Sequence, residues 1–139
     1  MKLLALDIGD VWTGMAISDP LGIIAKPYKT VTTKKLIPEL RMIIEQEHIE
    51  HIVVGHPKTM RGRQSEQTKK TEDAAKTLQE NFPNTMIILW DERLSSKRAS
   101  ALKSAKSQEN KQAEHAIAAA FILSSYLDFI RIHMQEQQP

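Results

Sequence analysis

Residues 2–19 read KLLALDIGDVWTGMAISD, and the way this stretch divides decides the fold. Lys2 to Ile8 has the apolar composition of a strand, and Gly9 and Asp10 are turn residues. Residues 11–19 predict a second strand, whose side-chain pattern Gly14 interrupts. A strand, a tight turn and a strand make an antiparallel pair. One residue in it is out of place: Asp7 stands between Leu6 and Ile8, where an unpaired buried charge is costly even after relaxation. A turn amide, a basic partner or a metal ion has to hold it.

Past a Pro-Leu-Gly turn, KPYKTVTT (26–33) predicts a third strand that completes an antiparallel meander. The periodicity then changes. KKLIPELRMIIEQEH (34–48) spaces Leu36, Leu40, Ile43 and Ile44 at helical intervals, and IEHIVVGHP (49–57) follows as a short apolar run stopped by Gly55 and Pro57. The pattern repeats in SEQTKKTEDAAKTLQENF (65–82), with Ser65 as an N-cap, and NTMIILWDE (84–92). Two helix-to-strand crossovers in succession imply parallel strands joined right-handedly. The rest predicts helices from Ser95 and from Ser107, the second apolar nearly all round between Ala116 and Leu123 and so packed on both sides. The tail from residue 134 to 139 is polar and is expected to fray.

The expectation is therefore an α/β domain over residues 1–139, with a five-stranded mixed sheet in the order 3-2-1-4-5 and strands 1, 4 and 5 parallel. A chain of 139 residues suffices for one core, burying roughly 68% of its unfolded surface. It has no cysteine, which leaves oxygen and imidazole as metal donors. No signal peptide or apolar run of membrane-spanning length is read in it, which suggests a soluble cytoplasmic protein. The net charge of +2 says little, but its distribution says more. Lys58, Arg61, Arg63, Lys69 and Lys70 face Glu66 alone, and six basic residues lie between Arg93 and Lys111 against Glu109. Such segments suit a polyanion like nucleic acid, or are simply solvated loop and helix faces.

In this topology Asp7, Gly55-His56 and Asp91-Glu92 leave the sheet at one edge, where open α/β sheets place their ligands. Asp7 and Glu92 can share a cation there. Taken singly, Asp7 also fits a turn cap through Gly9, and Asp91 or Glu92 a helix cap near Ser95. Trp90 reads as core, Asp10 as a turn residue, and His56 as a polar loop residue or a neighbour of the same edge.

LALDIGDVWTGMAISD (4–19), IVVGHP (52–57), LWDERLSS (89–96) and AIAAAFILSSYLD (116–128), in this order and spacing, resemble the YqgF/RuvX family of pre-16S rRNA nucleases and Holliday junction resolvases. The resemblance runs from about Lys2 to Asp128 and implies an RNase H-like fold. It also implies a nuclease centre using Mg²⁺ or Mn²⁺, with Asp7, Glu92 and a third acid from the last helix as catalytic and metal-binding residues. At the third position this sequence has His115. Glu114 is adjacent but points about 100° away around a helix. Imidazole in place of an anionic oxygen weakens Mg²⁺ and favours Mn²⁺. Gly9, Gly14, Gly55 and Pro57 match the family's structural positions, while His56 and the glycine-poor loop after it depart from them. Lys58, Arg61, Arg63 and Arg93 are the candidates for phosphate contacts, because guanidinium binds phosphate bidentately.

The implied partner is nucleic acid, either pre-rRNA or branched DNA. A competing reading keeps the fold and the basic surface but loses efficient chemistry at position 115, leaving a nucleic-acid-binding protein. A small ATPase built on the first strand pair is disfavoured, since such enzymes bind nucleotide between two domains of this kind.

Overall fold

The computed structural model describes residues 1–57, 66–91 and 111–136. The elements are β1 (Leu3–Ile8), β2 (Trp12–Ser18), β3 (Ala25–Thr32), a 3₁₀ turn (Thr33–Lys35), α1 (Leu36–Glu47), β4 (His51–His56), α2 (Glu66–Asn81), β5 (Met86–Asp91) and α3 (Lys111–Glu136). The strands form one sheet in the order β3-β2-β1-β4-β5. β1 pairs antiparallel with β2 and parallel with β4, and β4 pairs parallel with β5. This is the expected topology. The helix expected from Ser95 lies outside the described residues.

Strand alternation divides the core into two layers. Leu4 and Leu6 of β1, Met15 of β2, and Ile52 and Val54 of β4 face α1 and α2, where Leu36, Leu40, Ile43 and Leu78 meet them. Leu3, Ala5, Ala16 and Val53 face the other way, onto Ala119, Ile122, Leu123 and Leu127 of α3. Each large aliphatic side chain so buried contributes about 1.5–3 kcal/mol.

Two short connections are set by local chemistry. α1 ends at His48, whose φ of 55° is left-handed, and Ile49 N–H returns to the Ile44 carbonyl. The β2–β3 turn closes on Asp19, whose Oδ1 accepts the N–H groups of Ile23 and Ile24 at 2.7 and 2.8 Å, with Gly22 at φ +69°.

Two expectations need correcting. α3 continues to Glu136, so Met134 to Glu136 belong to the helix rather than to a frayed tail. Gln112–Met134 of α3 is long and apolar enough to cross a membrane by length and composition, although no such run was read in the sequence; its apolar side lies on the sheet. Within α3, Ala116, Ala118, Ala119, Ile122 and Leu123 are buried, and Ile117, Ala120 and Phe121 are half-buried.

Candidate active site

Asp7 is the fifth residue of the central strand. Alternation puts it on the same face as Leu3 and Ala5, which pack against α3. Its cross-strand partner in β2 is Gly14. A β-carbon on Gly14 would lie 2.0 Å from the carbonyl carbon of His115 and 2.4 Å from the amide nitrogen of Ala116. The first turns of α3 therefore rest directly on the backbone of β2. This contact brings His115 Nδ1 to 3.1 Å from Asp7 Oδ2, with 29% of the histidine and 15% of the aspartate side chain exposed. Thr30 adds a second tie by donating its hydroxyl to the Gln112 carbonyl in the first turn of α3.

The turn after β1 is held from several sides. Gly9 N–H donates to the Trp12 carbonyl at 2.9 Å. A β-carbon on Gly9 would fall 2.7 Å from that carbonyl oxygen and 3.3 Å from Cε1 of His115, so the turn and the imidazole are packed together there. Thr33 Oγ1 donates to the Gly9 carbonyl at 2.7 Å, and its N–H donates to the Val11 carbonyl at 2.9 Å. A hydroxyl has one proton to give, so the 2.9 Å contact between Thr13 and Thr33 has Thr13 as donor. From α2, Gln67 Nε2 reaches the Ile8 carbonyl at 3.3 Å and Lys70 Nζ lies 3.4 Å from Asp10 Oδ1. Sequence reasoning missed Thr13, Thr33 and Gln67. No sequence signal marks them, because their partners are backbone carbonyls or a hydroxyl brought close only by folding.

Of the adjacent pair Glu114 and His115, the histidine meets Asp7. Glu114 is half-buried and makes no hydrogen bond or ion pair among the described residues. His56 is neither a loop residue nor a neighbour of Asp7. It ends β4, is buried, and faces α2 on the opposite side of the sheet, where its Nε2 lies 2.9 Å from Glu72 Oε1. Trp90 is half-buried against α3, donating Nε1–H to Ser125 Oγ at 3.1 Å and meeting Tyr126 edge-on. Burial there pushes the Tyr126 phenol above its ordinary value. Asp10 is an exposed turn residue. Gly55 is buried within β4, with Pro57 following the strand. Glu92, Lys58, Arg61, Arg63 and Arg93 lie outside the described residues.

Among the described residues no cluster of three His, Asp or Glu is placed to hold a metal ion. The donor set fits a divalent ion in part, since Asp7 contributes a carboxylate and His115 an imidazole at one strand end. Asp7 Oδ1 and His115 Nε2 are the atoms of the pair with no hydrogen-bond partner among the described residues. A further donor has to come from elsewhere, and Glu92 is the residue next after the end of β5.

A family model described as RuvX, Holliday junction resolvase, matches residues 1–129. Proteins named "Putative pre-16S rRNA nuclease" align over nearly their whole length. The one from Rubrobacter xylanophilus is 35% identical over 128 residues, covering 91% of this chain and 92% of that protein. The one from Onion yellows phytoplasma is 40% identical over 142 residues, covering 96% and 93%. Among solved structures, T. thermophilus RuvC in complex with Holliday junction substrate superposes with a TM-score of 0.62 at 15% identity, covering 95% of this chain and 96% of that one. That likeness shows the RNase H-like fold. With the family model matching almost the whole chain and such relatives alongside it, the chain belongs to the RuvX family.

Proposed function

We propose that this chain is a divalent-metal-dependent nuclease that hydrolyses phosphodiester bonds, acting in the cytoplasm at the 5′ end of pre-16S rRNA during ribosome biogenesis. The observation that carries the reading is the apposition of Asp7 and His115 at the carboxyl edge of the sheet, where open α/β sheets bind ligands. The names of the relatives support the choice of polymer. In this reading Asp7 and Glu92 hold Mg²⁺ or Mn²⁺, and His115 offers an imidazole nitrogen to the same place. The ion, when bound, supplies Lewis acidity to water and to phosphate oxygen.

The protein's own contribution is orientation and proton transfer. With Nδ1–H donated to Asp7, the ring of His115 keeps the lone pair on Nε2. That atom can complete a donor set or take the proton of the attacking water. Gly9 and Gly14 hold the ring in place by leaving room where side chains would push the turn and α3 apart.

Incubating the purified protein with pre-16S precursor fragments in Mg²⁺, Mn²⁺ or chelator, beside an Asp7→Asn variant, tests the reading. Metal-dependent cleavage that the variant lacks is expected. Equal cleavage by the variant, or tight salt-sensitive binding with no cleavage in either metal, would overturn it and favour a binding protein. The family description favours a second substrate, branched DNA. A four-way junction run in parallel separates the two, because backbone chemistry is nearly the same on both polymers and only relative rates distinguish them.

A further inference from the structure

We infer that two lysine pairs, Lys34-Lys35 and Lys69-Lys70, form a bracket for polynucleotide phosphates on the α1/α2 side of the turn that follows Asp7. The inference rests on the nuclease reading for the identity of the polyanion, and on the structure for its place.

The geometry comes from the grips on that turn. Thr33 holds the carbonyls of Gly9 and Val11, and Lys34 and Lys35 follow it directly in the 3₁₀ turn. Gln67 holds the carbonyl of Ile8, and Lys69 and Lys70 follow within the same turn of α2. Ile8 and Gly9 are consecutive, with Cα atoms about 3.8 Å apart. The two pairs therefore follow grips that reach the turn from different elements, the 3₁₀ turn after β3 and α2, on the residues immediately after Asp7.

All four lysines are exposed. Lys34, Lys35 and Lys69 make no ion pair among the described residues. Lys70 lies 3.4 Å from Asp10 between side chains 59% and 68% exposed, a contact a phosphate can readily displace. In the same turn Val11, next to Trp12 in the chain, has 64% of its surface exposed. Four exposed cations next to the grips on one turn suit a backbone of regularly spaced phosphates, which gains affinity by releasing its condensed counterions. The scissile bond would lie on the α3 side at Asp7 and His115, with neighbouring phosphates crossing the turn towards the lysines. Lys69 and Lys70 belong to the basic segment that the sequence already marked as suited to a polyanion, whereas Lys34 and Lys35 lie outside both basic segments.

The test measures binding of the full chain in chelator, from 50 to 200 mM salt, to a single-stranded RNA and to a four-way DNA junction. Lys34→Gln/Lys35→Gln and Lys69→Gln/Lys70→Gln are compared with Lys26→Gln/Lys76→Gln, whose lysines lie at the start of β3 and in the second half of α2. Each bracket variant should weaken binding by roughly tenfold, and should lower the slope of log K against log salt by about 1.4 on the single strand or about 1.8 on the duplex arms. The arm with the larger loss identifies the polymer the bracket serves. Unchanged slopes, equal losses in the Lys26/Lys76 control, or no polynucleotide binding by the wild type would overturn the bracket. Binding is read without metal, so a wild type that binds with the expected slopes yet never cleaves would overturn the nuclease reading and leave the bracket standing.

Discussion

The α-carbon of Gly14 lies directly beneath the backbone of His115. A β-carbon there would come within 2.0 Å of the histidine's carbonyl carbon and 2.1 Å of its oxygen. Since neither atom belongs to a flexible side chain, α3 would have to lift off β2. Gly14→Ala should therefore destabilise the fold by about 3 kcal/mol or more, read as a shift in the urea midpoint. The fraction that still folds should have lost the approach of His115 to Asp7, and with it most activity. A variant that melts within a degree of wild type would show that the helix does not sit on the strand.

The imidazole at position 115 should set the metal preference. If His115 Nε2 completes the donor set, His115→Asp replaces a neutral nitrogen with an anionic oxygen and raises activity in Mg²⁺ relative to Mn²⁺. His115→Ala should lower activity in both ions, by about a hundredfold or more for loss of a ligand or a proton acceptor. Cleavage assays in each ion check this. An unchanged ratio in His115→Asp, with loss in both metals, would place the histidine in proton transfer instead.

Asp19 governs an acid-sensitive part of stability at the far edge of the sheet. The N–H of Ile24, and next that of Ile23, hold its carboxyl below the ordinary value of 3.8. A carboxyl lowered by folding adds stability that is fully present above 3.8, and this is lost as pH falls through its folded value. Asp19→Asn should melt earlier than wild type at neutral pH. Below about pH 3.8 the wild type should lose this advantage and the two melting curves converge. Parallel curves from pH 7 to pH 2 would contradict the assignment.

His48 ends α1 in the left-handed region at φ 55° with its side chain exposed. An L-residue pays about 1–2 kcal/mol there that glycine does not, while glycine's freedom in the unfolded chain takes part of it back. His48→Gly should therefore gain about 0.5–1 kcal/mol, visible as a rise of a few degrees in thermal melting. A loss of stability would mean that the imidazole makes a contact the geometry does not suggest.

The strand order and the direction of every pair were readable before folding, because period-two and helical patterns are local and crossover handedness leaves few ways to connect them. Asp7 was legible for the same reason: a carboxylate at the end of an apolar run is conspicuous wherever the chain goes. His56 shows the limit. Its place after Gly55 was plain, but which face of the sheet it occupied depended on β4 continuing through it, and that extra residue carried it to Glu72 rather than to Asp7. Thr33 and Gln67 could not be found at all, since an exchange of hydrogen bonds with carbonyls far along the chain leaves no trace in composition.

The feature most dependent on tertiary packing is the pairing of residues 7 and 115. The chain supplied a carboxylate near its start and two candidate polar side chains near its end, on neighbouring positions of one helix. Which of them arrived at Asp7 was set by the rotation and height of α3, and these follow from a backbone contact at Gly14 and a small-residue face at Ala116 and Ala119. Distance along a helix is fixed by local geometry, but rotation about its axis is fixed only by what it packs against.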